Sequence, residues 1–156
     1  MSAWNIEFDS YLAEDALRSL EKREYDKIFE NVVFYLNRLI DALNEVCDEI
    51  DWLICRLEQE AEHCRNLQQN YNDNPMMYSD DEAAAINRRS PSKMTSCINK
   101  LIDEKGKLTS FIKHLNLIIY DRLQRARDHV DDEAKKIKEM IERGVEIMQK
   151  YSSVRF

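Results

Sequence analysis

Glu60, Ala61, Glu62 and His63 contain a Glu-x-x-His step, the spacing by which ferritin-like bundles set a carboxylate and an imidazole on one metal. Such a centre needs a second step of the same kind and two more glutamates from facing helices. The residue three before His114 is Phe111, and three before His129 is Ala126, so no second step exists. His129 with Asp132 and Glu133 has the i, i+3, i+4 spacing of a weak divalent-ion site, which is also the spacing of an ordinary solvated face. The four cysteines, Cys47, Cys55, Cys64 and Cys97, show no Cys-x-x-Cys spacing. At ~100° per residue the first three point to different sides of one helix, so neither a zinc site nor a disulfide framework is expected. Gly106 and Gly144 stand alone inside helical pattern and form no phosphate loop. No nucleophile with a base beside it stands out, so no catalytic residue, metal or cofactor is assigned and the expectation is a protein that is not an enzyme.

Two serines could carry a regulatory phosphate. Ser79 is followed by Asp80, Asp81 and Glu82, which resembles an acidic-directed kinase site; Ser90 lies between Arg88-Arg89 and Pro91, which resembles a basic- or proline-directed one. Phosphate on Ser90 would sit at a helix N-terminus, where negative charge is stabilised. Ser90 and Pro91 also read as an N-cap with proline at the first helical position.

The elements that must position these residues are helices. The chain of 156 residues has two glycines and two prolines, against the ~11 and ~8 that average usage supplies. A multi-stranded sheet needs turn chemistry that this sequence lacks. From Val32 apolar residues step by four and three through Leu36, Leu39, Leu43, Val46, Ile50, Leu53 and Leu57, then through Glu60, Cys64, Leu67 and Tyr71. A second stripe beside it, through Phe29, Val33, Ile40, Cys47 and Ile54, widens the face. After a polar connector a second seam runs from Met94 through Ile98, Leu101, Lys105, Leu108, Ile112, Leu115 and Ile119 to Met148. Its steps depart from strict heptads around Ile119 and Val130, where supercoiling should relax. A shorter amphipathic helix, from about Tyr11 to Glu21 with Asp9 or Ser10 as cap, precedes the pair; a bend between Glu21 and Tyr25 is left open.

The expected fold is therefore all-α: a long antiparallel helical hairpin of coiled-coil type with a short N-terminal helix, assembling into a four-helix bundle. Its parts are residues 1–24, a long helix over 25–72, a polar connector over 73–92 and a second long helix over 93–156, together one elongated domain. Placing the reversal at the middle of the connector sets Glu60 level with Lys105, the charged residues in two apolar seams, and predicts that they pair. The same register brings the two widened faces together. Phe29, Val33, Ile40, Phe111, Ile118 and Tyr120 would then remain in water, a larger apolar patch than monomers tolerate. Three covers are possible: a second copy, a heterodimer with another helical protein, or the N-terminal helix folding back.

Charge agrees with helix pairing. Residues 1–72 carry seven Lys/Arg and sixteen Asp/Glu, whereas residues 93–156 carry fourteen and ten. A net charge of −7 argues against a nucleic-acid partner. No apolar run reaches 18 residues and the amino end has no signal-peptide pattern, so no membrane insertion and a cytoplasmic location are expected, with nuclear location or leaderless export also compatible. The expected function is a non-enzymatic interaction or scaffold protein. A small adaptor or chaperone for a helical, possibly exported, partner is the first alternative, and a helical-bundle metal enzyme the second.

Overall fold

A computed structural model describes residues 4–22, 28–119 and 130–152. In chain order these form α1 (Ile6–Lys22), a π-helical turn (Ile28–Val32), α2 (Val33–Asp73), a 3-10 turn (Pro75–Met77), α3 (Asp80–Arg88), α4 (Pro91–Leu117) and α5 (Val130–Ser152). No strand occurs among the described residues, and the chain is all-α. It divides into two compact units, one formed by Met1–Cys47 with Lys107–Phe156 and the other by Asp48–Gly106.

In the first unit α1 begins at Ile6, one turn before the expected start. Asn5 accounts for this: its Oδ1 accepts from the Phe8 amide at 3.0 Å, and its own amide donates to Asp9 Oδ2 at 2.7 Å. Asp9, expected as a cap, lies inside the helix. Asn31 Nδ2 donates to Ser19 Oγ at 2.8 Å, and Arg38 reaches back to Asp9, so α1 runs antiparallel to the start of α2. The bend weighed between Glu21 and Tyr25 falls mostly outside the described residues.

The single second helix expected over 93–156 is corrected. The Arg143 guanidinium lies 5.2 Å from the centre of the Phe111 ring, and His114, Leu117 and Ile118 share a small cavity with Met140 and Arg143. In one continuous helix Phe111 and Arg143 would be ~48 Å apart. Hence α5 runs antiparallel beside α4. The physical reason is the stripe of Ile137, Ile141 and Met148, all buried, which needs an apolar surface to cover.

The expected interface residues are corrected for the same reason. Ile40, Phe111 and Ile118 are buried inside this unit, the last two at 2% exposure, and Val33 is half-buried. The side chains of Phe29 and Tyr120 lie outside the described residues. The wide face is covered by the chain itself, through α1 and α5. Tyr35, Leu36, Leu39, Leu43, Leu115, Ile137 and Ile141 form its fully buried centre.

In the second unit α2 and α4 pair antiparallel. Lys105 Nζ lies 2.6 Å from Asp51 Oδ1, and Arg65 Nη2 donates to Thr95 Oγ1 at 3.2 Å. The register pair Glu60–Lys105 is thus corrected: Lys105 meets Asp51, nine residues and ~13 Å before Glu60 along α2, and Glu60 is exposed. The reversal comes at residues 74–79, right after α2, not at the middle of the connector. The rest of that connector is α3, held against α2 by Gln68 Nε2, which donates to the Ile86 and Arg89 carbonyls at 3.3 and 3.0 Å.

The two glycines have opposite surroundings. A Cβ at Gly144 would clash with a methyl carbon of Leu39, itself fully buried, whereas a Cβ at Gly106 would meet nothing within 4 Å. Gly106→Ala is expected to stabilise by about 0.5–1 kcal/mol through helix propensity. Gly144→Ala should instead destabilise, since overpacking costs about 1–3 kcal/mol against a propensity gain of about 1. Chemical denaturation of both variants checks the opposite signs, and Leu39→Ala in the Gly144→Ala background should relieve the clash.

Candidate functional site

Asp9 sits on the apolar side of α1, in step with Ala13, Ala16 and Leu20, and is completely buried. A charge there must be paired. Arg38 of α2 supplies the partner as a fork: Nε donates to Oδ1, and Nη2 donates to Oδ2 at 3.0 Å. The Phe8 ring lies 5.1 Å from the same guanidinium, and the Trp4 ring meets Tyr35 edge-on at 6.0 Å. Hydrogen bonding to Asp9 raises the pKa of Arg38. Tyr35 is also fully buried, and its hydroxyl has no hydrogen-bond partner. Burial, and then the negative charge of Asp9, push its pKa far above the ordinary phenol range, so it stays neutral. The cluster is a clasp between α1 and α2.

The residues singled out for metal chemistry are not brought together. His63 is exposed, and Glu62 forms a surface pair with Arg65 at 3.8 Å. His114 is exposed on α4, and the His129 cluster lies outside the described side chains. Among the described residues no group of three His, Cys, Asp or Glu is placed to hold a metal ion. Cys47 and Cys64 are buried, Cys55 and Cys97 exposed, and none of the four forms a disulfide. The two candidate phosphorylation sites both serve as helix caps. Ser79 Oγ accepts from the Glu82 amide at 3.1 Å and donates to Glu82 Oε1 at 3.2 Å, an N-cap that starts α3. Ser90 Oγ accepts from the Lys93 amide at 3.4 Å at the start of α4. A groove of about 550 Å³ lies between α1 and α5, with Leu17, Leu20 and Ala134 on its walls and Lys135, Lys138 and Glu142 around it.

The second unit carries the surface that sequence reasoning did not locate. None of the residues 51–60 and none of the residues 99–106 is buried. Leu53, Ile54, Leu57 and Leu101 are half-buried, although Leu53 and Leu57 continue the seam of Leu36, Leu39, Leu43 and Val46 that is buried in the first unit. Trp52 is 58% exposed and Ile102 53%. Two helices present one line of contact to each other, and each flank of that line stays open. Arg56 lies over the Trp52 ring at 5.3 Å. One signal was available: Trp52 falls off both apolar stripes of its helix, so it had no place in an intrachain core. Asp9 was detectable too, as a carboxylate in step with core alanines.

No known protein family, curated protein or solved structure matches the chain. No described helix is long and apolar enough to cross a membrane.

Tyr35→Phe removes a buried hydroxyl that has no partner, so stability at pH 7 should be unchanged or raised by up to about 1 kcal/mol. The neutral phenol of Tyr35 contributes stability that is complete below its ordinary pKa of ~10 and falls as pH rises towards the higher folded value. Denaturation at successive pH values should therefore show a steeper alkaline loss in the parent chain than in Tyr35→Phe. Arg38→Met should cost about 3–5 kcal/mol, because it leaves the buried Asp9 carboxylate without its cation. Asp9→Asn should cost less, since Arg38 is 29% exposed and keeps access to water.

Proposed function

We propose that the chain is a non-enzymatic interaction protein that associates with a helical partner through its second unit. One observation carries this reading: around the α2–α4 contact of the second unit Trp52 and Ile102 stay more than half exposed, and Leu53, Ile54, Leu57 and Leu101 are only half-buried. Fully burying a large apolar side chain contributes about 1.5–3 kcal/mol, so covering even part of this stretch is enough to drive association. Tryptophan and arginine, here stacked as Trp52 and Arg56, are the residue types that dominate binding energy at protein interfaces. The partner is a second copy or another helical protein. The wide face over Ile40, Phe111 and Ile118 has no part in this reading, because the chain already covers it.

Two substitutions separate the surfaces. Ile118→Asp places a charge in the core of the first unit and should abolish cooperative melting. Leu57→Asp should keep that melting transition and lose association, read as mass by multi-angle light scattering and as binding to a helical peptide by anisotropy. A chain that stays at its monomer mass of 18.6 kDa and binds no helical peptide would overturn the reading.

A further inference from the structure

In the first unit α1 is fastened differently from its neighbours. Its buried residues are Asp9, Ala13, Ala16, Ser19 and Leu20, of which Leu20 is the one large apolar side chain. By contrast α4 buries Leu108, Phe111 and Leu115 in this unit, and α5 buries Ile137, Ile141 and Met148. The larger apolar residues of α1, Ile6, Phe8 and Tyr11, stay about half exposed. Docking of α1 also takes polar groups out of water: the Asp9 carboxylate, part of the Arg38 guanidinium, and the Tyr35 hydroxyl, which has no hydrogen-bond partner among the described residues. A buried ion pair recovers little beyond its desolvation cost, and an unpartnered hydroxyl recovers none of it. The fork therefore fixes where α1 docks more than it adds to how firmly α1 is held. Few buried apolar contacts are the physical mark of an element that opens below the global unfolding free energy.

We infer that α1 is a releasable strap, which undocks and redocks as one unit while α2, α4 and α5 keep the core of the first unit. Beneath it lie the turn Ile28–Val32 and, under Trp4, the Tyr35 ring. Val32 and Tyr35 are completely buried when the strap is closed, and its release opens that apolar surface to water. An isolated helix of 17 residues is marginal in water, so release also unprotects the amides of α1. The inference does not rest on the interaction reading above.

Hydrogen exchange of the full chain, read peptide by peptide by mass spectrometry, tests it. Peptides within residues 9–22 should exchange at least about tenfold faster than those within residues 36–46 and 137–148. Their rates should rise with urea below the unfolding transition, as the exposure of a docked surface requires. Ala13→Asp/Ala16→Asp puts two unpaired carboxylates on the buried side of α1. In this variant residues 9–22 should lose nearly all protection, while residues 36–46 and 137–148 keep at least about a hundredfold. Trp52→Phe leaves Trp4 as the one tryptophan, and its emission should move to the red in the double-aspartate background as the ring leaves Tyr35. Equal exchange of all three stretches in the parent chain would overturn the inference. So would α1 rates that ignore urea, which mark the fraying of single turns and no undocking. Loss of protection in all three stretches together in the double-aspartate variant would overturn it by making α1 an inseparable part of the core, and an unshifted Trp4 emission would do so by showing that the strap stays in place.

Discussion

Tyr35, Leu36, Leu39 and Leu43 are completely buried, and a helix whose apolar sector is this wide needs neighbours on more than one side. Meeting that need organises the first unit. One neighbour, α1, comes from before α2 in the chain and another, α5, from after α4, and both fold back to lie on the unit's core. At Gly144 the missing side chain lets α5 come against Leu39. The Asp9–Arg38 fork belongs to the same solution. It places a charge at a core position of α1, which α2 alone can pair, and so gives α1 one position along α2 where its buried carboxylate is satisfied.

The second unit shows what the same kind of helix does when the additional neighbours are absent. Leu53 and Leu57 continue the seam of Leu36, Leu39, Leu43 and Ile50, yet they are only half-buried. Beside the buried Ile50, Ala61, Cys64, Ile86 and Ile98, polar contacts join the helices of this part: Asp51 with Lys105, Arg65 with Thr95, and Gln68 on the carbonyls that end α3. Exposed pairs of this kind contribute little stability. Gly106, with open space where a side chain would be, weakens α4 locally. Exposed Trp52 and Ile102 and half-buried Leu53 and Leu57 coincide there, and the functional proposal is built on them.

Several misplacements trace to one habit of reading periodicity: a stripe tells which side of a helix is apolar, and not what covers it. The stripe of Ile137, Ile141 and Met148 continues the rhythm of Leu108, Leu115 and Ile119 with no glycine or proline between, so the pattern looked like one helix. The contact of Arg143 with Phe111 shows two segments lying side by side. Likewise Ser79-Asp80-Asp81-Glu82 fits a kinase motif and a capping box equally as a string. The Ser79 hydroxyl on the Glu82 amide identifies it as the start of α3, which in turn moves the reversal and shifts the register by nine residues.

By itself the sequence determined that the chain is helical, that the hairpin reverses somewhere within residues 73–92, that Ser90 and Pro91 open a helix, and which side of each helix is apolar. All of these follow from local backbone chemistry and from the 3.6-residue period, which are properties of neighbouring residues. Only the tertiary structure decided which apolar faces are closed within the chain, that Asp9 is paired with Arg38, that Lys105 meets Asp51, and that Trp52 and Ile102 stay in water. Those outcomes depend on how many helices converge at a given level, and segments distant in sequence compete to cover the same surface through the non-directional burial of apolar area. A periodic pattern records that a face needs burying and carries no record of which segment will bury it.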